Sequence, residues 1–197
     1  MKSTLMSPYS LIDNLQRVDV ILVHQKHDLV SWLIRAFTHS YWNHVALVYL
    51  IQGEYKAAYI IESTGGGVQI HNFEKYLDKK YDIAVKRLEA EWFNEDLQKR
   101  VRGLALEKID AAYDYHGLFD IAYHIITRTK RVGHLIWPSV KSFICSGIVQ
   151  AAYYEAIPYK KFVTFTDGDL LECEPCEIAQ TPKLKWKYKI INGVVYI

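Results

Sequence analysis

Three side chains in this sequence could together run nucleophilic chemistry. Cys145 lies in FICSGIVQAAYYEA, after a loop and at the start of a helical pattern. A thiol at a helix N-terminus feels the positive end of the dipole and the free backbone N–H groups, and both favour the thiolate. The same N–H groups can stabilise an oxyanion during acyl transfer. The small residues Ser146 and Gly147 leave room beside the thiol for a substrate carbonyl, so Ser146 is taken as a substrate contact. His44 opens the run HVALVYL after the polar bend HSYWN, where an imidazole is held rigidly. From there it can accept a thiol proton and return it to a leaving amine. Glu62 lies near the end of YIIES and interrupts an apolar run, where a carboxylate needs a partner. A hairpin turn centred near Gly53 would set positions 44 and 62 opposite each other, with Cβ atoms about 5 Å apart. Glu62 would then hold the imidazole tautomer and support its cation.

Each residue taken singly has an ordinary structural explanation. A free cysteine is often a small buried hydrophobe. A lone histidine is readily satisfied by hydrogen bonds, and a glutamate can sit at an exposed strand edge. Together the three have the logic of nucleophile, base and orienter. Their order along the chain, His then Glu then Cys, is the reverse of the usual papain order. Triads are defined by geometry and role, so the order does not exclude the chemistry.

The elements that must position these groups follow from periodicity. The segment 18–23 (VDVILV) reads as a buried strand, and 28–37 as a helix capped by Asp28 with Leu29, Trp32, Leu33 and Phe37 at helical spacing. Two β-rich runs, 44–51 and 55–63, flank Gln52-Gly53-Glu54 and predict a hairpin. The Gly65-Gly66-Gly67 turn leads into the strand fragment VQI, and 82–88 is a further strand. Asn94 caps a helix carrying Leu97, Val101, Leu104, Ala105 and Ile109 on one side. A second helix is expected over 118–127, a loop over 132–142, and a helix from Cys145 to about Ala156, stopped by Pro158. At the C-terminus, Lys183, Lys185, Lys187 and Lys189 alternate with Leu184, Trp186, Tyr188 and Ile190, and Asn192-Gly193 marks a tight turn. Strands, then helices, then a terminal hairpin predict an α+β fold with a mostly antiparallel sheet. The reading is one domain over 1–197, with the hairpin at 183–197.

Composition bounds the partners. The 197 residues carry a net charge of +2, with 50% hydrophobic and 23% charged residues, as in an ordinary globular protein. Nothing in that balance demands nucleic acid, and the alternating lysines fit a solvated face or a guarded sheet edge. The aromatic share is 14%, with 15 Tyr and 5 Trp. These serve a Tyr-rich core and sheet surface, or a cleft for an apolar substrate. No apolar run approaches the roughly 20 residues of a spanning helix, and the N-terminal segment lacks a secretory pattern, so a cytoplasmic location is expected. The three cysteines do not form a disulfide framework. Cys173-Glu-Pro-Cys176 could be half a zinc site with His24 and His27, but loop thiols are the simpler reading, and neither metal nor cofactor is expected. The glycine triplet lacks the Lys-Ser/Thr and helix of a phosphate loop. His116 is an alternative base ranked below His44.

The ordered set Val18-Asp19-Val20-Ile21-Leu22, Ser40 to Val48, Ile61-Glu62-Ser63 with Gly67-Val68, Tyr113-Asp114, and Phe143-Ile144-Cys145-Ser146 resembles the circularly permuted branch of the NlpC/p-sixty superfamily, the YiiX/YebB-like group. The departures are Val18 where glycine is usual, Phe143-Ile144 before the cysteine, and Gly147 where many permuted members have glutamate. The resemblance implies a papain-like fold and amide or ester chemistry. It makes Cys145 the nucleophile, His44 the base and Glu62 the orienter, with Tyr113 or Tyr115 lining the site. The expected substrate is a peptide, such as a cell-wall-type peptide, or an amino-acid amide. The alternatives are acyl transfer on a lipid-like substrate, as in the related lecithin:retinol acyltransferase group, and a non-catalytic binding module on the same fold.

Overall fold

A computed structural model of the chain describes residues 3–4, 8–26, 40–53, 57–113, 142–167, 170 and 173–196. The helices expected over 28–37 and 118–127, nearly all of the 132–142 loop, and residues Tyr115 and His116 lie outside that set.

The described strands are β1 (Ser3–Thr4), β2 (Val20–Gln25), β3 (His44–Gln52), β4 (Ala57–Thr64), β5 (Gly67–Asn72), β6 (Tyr81–Arg87), β7 (Ala112–Tyr113), β8 (Ser142–Phe143), β9 (Lys185–Ile191) and β10 (Val194–Tyr196). Eight of them form one sheet in the order β1-β10-β9-β6-β2-β3-β4-β5. Every neighbouring pair in it is antiparallel. β7 and β8 form a separate two-stranded parallel pair.

Both faces of this sheet are covered, which explains why its central strands read as continuous apolar runs. Val20, Leu22, Val45, Leu47, Ile61 and Ala84 point to the face packed by helices. Ile21, Val23, Ala46, Val48, Ala58, Ile60 and Ile83 point the other way, under Leu11, Ile12, Leu15, Phe73 and Tyr76. The alternation within each strand is the period of two that a pleated backbone imposes.

Helix α1 (Glu95–Leu106) starts where the sequence predicts. The Asn94 Oδ1 accepts the Leu97 N–H at 3.1 Å, and Glu95 and Asp96 sit at the positive end of the dipole. It ends at Leu106, so Ile109, expected on its buried stripe, packs against the core from the segment beyond. Helix α2 (Cys145–Ala156) is apolar almost all round and has ten of its twelve residues buried. Its Tyr153 hydroxyl donates to the Val18 carbonyl at 2.5 Å, tying the helix to the approach to β2. Helix α3 (Pro175–Gln180) opens with a reciprocal bond set between Glu174 and Glu177. Its C-terminal end is closed from inside the protein by Lys86, whose Nζ donates to the carbonyls of Ile178, Ala179 and Thr181 at 2.9, 2.8 and 2.8 Å. Burial pushes that lysine down to about 8.

The turn between β4 and β5 fixes the sheet edge nearest the candidate site. Gly67 has φ of +94°, and a Cβ there would stand 2.6 Å from the Ala111 carbonyl oxygen. That carbonyl accepts the Val68 N–H at 2.9 Å, so it cannot move aside freely. Gly193, in the C-terminal hairpin, also has positive φ (+78°), but a methyl added there would meet nothing within 4 Å. Gly67→Ala is therefore expected to lower the unfolding free energy by about 3 kcal/mol and Gly193→Ala by about 1 kcal/mol. Urea unfolding of the two variants beside the parent checks the order.

Candidate active site

Cys145 begins helix α2, and its N-cap is Ile144, which has no side chain to offer the first-turn amides. Those N–H groups and the helix dipole therefore act on the thiol itself. The sulfur is buried, with the residue 5% exposed. It lies in hydrogen-bonding contact with the His44 side chain and the Val45 amide. His44 is the first residue of β3, paired with Val23 of β2.

The ring of His44 is held from its far side. Its Nε2 lies 2.6 Å from Glu62 Oε2. A carboxylate only accepts, so Nε2–H is the donor, and Nδ1 is left for the sulfur. Glu62 is itself fully buried on β4. Its Oε2 also accepts from the Tyr76 hydroxyl, and its Oε1 accepts from Lys75 Nζ and, at 2.7 Å, from His71 Nδ1. Each carboxylate oxygen thus has two donors.

The pairing that brings His44 and Glu62 together differs from the expected one. Beside the turn, Gln52 pairs with Ala57, so the turn centres beyond Gly53. β3 then carries one extra residue, Tyr49, and the register continues as Val48↔Ile60 and Leu47↔Ile61. Continuing it sets Ala46, not His44, opposite Glu62. The correction is two residues, so the side chains still share a face. They meet as diagonal neighbours, within reach of long side chains. His71 reaches Glu62 in the same way from β5, where Gln69 is the direct partner of Glu62.

The electrostatics follow from this packing. Burial works against a charged His44, but the Cys145 thiolate and the Glu62 carboxylate outweigh it and push the imidazole up to about 10. Burial likewise opposes the thiolate, yet His44 and the Val45 N–H hold Cys145 below the ordinary thiol range. Burial would raise Glu62, but His44 and Lys75 keep it well below the usual carboxylate range. Burial, with the Glu62 charge beside it, holds the Tyr76 phenol far above its ordinary range, so it remains a donor.

Of the other expected site residues, Ser146 follows Cys145 in α2, with its side chain in hydrogen-bonding contact with the thiol. It is fully buried, and its hydroxyl donates to the Cys173 carbonyl, so it braces the start of α2 against the segment leading into α3. The backbone of Tyr113 pairs with Phe143, two residues before Cys145. Cys173 is fully buried, and the Cys176 thiol donates to Glu174 at 3.0 Å. The sequence reading missed His71, Lys75 and Tyr76. Their only sequence signal is proximity to Glu62 through a tight turn, and nothing in their spacing sets them apart from surface residues.

A thiol on a helix end set against an imidazole on an antiparallel sheet is the architecture of papain-like hydrolases. The chain belongs to the permuted papain-like amidase family that includes YaeF and YiiX, the C92 peptidases, whose pattern matches residues 14–123. The matched span holds His44 and Glu62 and ends before Cys145. Among solved structures, the crystal structure of metalloprotein yiiX from Escherichia coli O157:H7 is similar, with a TM-score of 0.59 and 18% identity over 87% of this chain and 96% of that one. No curated protein matches the chain. The metal in that description belongs to that protein. Among the described residues here, no group of three or more His, Cys, Asp or Glu side chains is arranged to hold a metal ion. Glu62, which His44 and His71 both contact, also has the Lys75 ammonium on its carboxylate. Among the described residues, no helix is long and apolar enough to cross a membrane.

The depressed Glu62 pKa carries a sign for stability. The unfolded chain takes up a proton near the ordinary value of 4.5 while the folded chain resists it, so this contribution is full above that pH and is lost as pH falls below it. Glu62→Gln is expected to be less stable than the parent at neutral pH but to lose less on further acidification. Urea unfolding at neutral pH and at about pH 3.5 measures both.

Proposed function

We propose that this enzyme hydrolyses amide bonds of small peptide-like substrates through Cys145, His44 and Glu62 as nucleophile, base and orienter. The observation that carries the reading is the placement of one imidazole between the sulfur and a fully buried carboxylate. In the first half-reaction the thiolate attacks the carbonyl carbon, and negative charge moves to the carbonyl oxygen. The open first-turn N–H groups of α2 are available to that oxygen. The imidazolium gives its proton to the leaving nitrogen, the C–N bond breaks, and an amine departs from a thioester on Cys145. In the second half-reaction His44 takes a proton from water, hydroxide adds to the thioester carbonyl, the C–S bond breaks, and the acid product departs while Cys145 is regenerated as thiolate. Glu62 stays ionised throughout and keeps Nδ1 aimed at the sulfur.

A peptide-like amide is favoured over a lipid because the family is one of amidases. The aromatic residues that suggested an apolar cleft are also partly accounted for in the core. Tyr153 stacks on Phe93 and contacts Phe165, and Phe73 and Tyr76 are buried beside the other face of the sheet.

Release of amine from a panel of dipeptides and amino-acid amides tests the reading. Cys145→Ala and His44→Ala are expected to lower kcat/KM by about a thousandfold or more, and Glu62→Gln by less. On the alkaline side, activity is expected to fall as pH rises through about 10, where His44 loses its proton. Iodoacetamide at mildly acidic pH should modify Cys145 ahead of Cys176, and His44→Ala should abolish that preference. Equal modification of the two, unchanged in His44→Ala, removes the case for an activated nucleophile.

A further inference from the structure

Glu62 carries more donors than an orienting carboxylate requires. One hydrogen bond from His44 would fix the ring, yet Lys75, His71 and Tyr76 converge on the same group. The charged and titratable groups facing it come from several elements: His44 on β3, His71 on β5, and Lys75 and Tyr76 on the turn Phe73–Leu77. Behind them stand Tyr81 of β6, 4.9 Å from the Tyr76 ring, and Cys145 of α2. Lys75 places an ammonium on the side of Glu62 away from His44. Its ammonium also lies over the Tyr76 ring, 4.8 Å from the centroid, which limits its freedom to swing into solvent.

The result is a line of alternating charges: thiolate, imidazolium, carboxylate, ammonium. Without the last member the buried cluster would carry a net negative charge whenever the thiolate formed. That penalty falls on the step that creates the nucleophile.

We propose that Lys75 is a positioning residue that completes this line, keeping Glu62 ionised and Cys145 in its thiolate form under acid conditions. The proposal rests on the reading of Cys145 and His44 as nucleophile and base. Lys75 acts through Glu62 and His44, not on substrate. His71 shares Oε1 with it and fixes the carboxylate plane.

Both consequences of losing the ammonium have the same sign. A more negative surrounding disfavours deprotonation of the thiol, and a more easily protonated Glu62 supports the imidazolium less. The acid limb of thiolate formation therefore moves to higher pH when Lys75 is neutralised.

The test follows iodoacetamide modification of Cys145, resolved by peptide mass spectrometry, across roughly pH 4 to pH 9 in the full-length chain. Parent, Lys75→Met, Lys75→Arg, His71→Gln and the exposed-site control Lys99→Met are compared. The acid limb is expected to move up by about one pH unit in Lys75→Met, and to stay in place in Lys75→Arg and Lys99→Met. His71→Gln should lower the rate of modification without moving the limb. A limb in Lys75→Met that coincides with Lys99→Met overturns the proposal while leaving the nucleophile intact. A parent whose Cys145 titrates as an ordinary thiol, unaffected by His44→Ala, overturns the underlying reading instead. Should Lys75→Met fail to fold by circular dichroism, Lys75→Gln, which keeps a donor and loses the charge, decides the matter on the same limb.

Discussion

A fully buried carboxylate constrains this half of the molecule more than any other group. Desolvating an ionised side chain is costly unless its lone pairs are filled, and removing one partner leaves the charge uncompensated. Glu62 meets that condition with two donors on each oxygen. The donors come from two neighbouring strands and the 3-10 turn that follows them, so the β3–β4–β5 register and the turn at Phe73–Leu77 are specified together. A slip of one residue in either pairing would carry an imidazole to the opposite face and strip a donor from the charge. Hydrophobic alternation and the polar site therefore demand the same register. That agreement lets a functional ion cluster persist beside an apolar core without selecting an alternative pairing.

Much of this was legible in the sequence because period and capping are local. The start of α2 at Cys145, the Asn94 cap of α1 and the antiparallel character of the eight-stranded sheet all follow from neighbouring residues. The hairpin register was legible only to the correct face. The bulge at Tyr49 and the placement of the turn depend on tertiary fit, yet together they displace the expected partner of His44 by two residues, the one small error that preserves sidedness. The burial of Ser146 was hidden in the sequence for a related reason. A small polar residue after a nucleophile looks open in one dimension, but the segment leading into α3 closes over it from 27 residues away. Lys75, His71 and Tyr76 were invisible because a polar residue near an amphipathic turn carries no mark of where its side chain ends.

Val18 shows how a sequence departure can be read once the backbone is known. It stands where the resembling pattern has glycine, and its φ is +62°, in the left-handed region that β-branched residues rarely enter. The position is pinned on both sides. Its N–H donates to Val48 at 2.8 Å, and its carbonyl receives the Tyr153 hydroxyl. The glycine preference thus reflects a backbone requirement, and this chain meets it with a buried valine held by α2 and β3. The strain is compensated by the same contacts that seat the Cys145-bearing helix on the sheet.

The site therefore divides into two halves with different physical origins. The imidazole half, His44 through Tyr76, is nearly contiguous in sequence and is assembled by strand pairing and one tight turn. The thiol half arrives on α2 and is positioned by packing: a helix with little exposed surface, the Tyr153–Val18 bond, and Ser146 braced against Cys173. Nothing in the chemistry requires the two halves to follow a particular order along the chain. The sheet supplies a rigid imidazole, the helix supplies a thiol with open amides, and the ion pair forms wherever the two surfaces meet. The sheet register and the seat of the helix together set the distance between imidazole and sulfur.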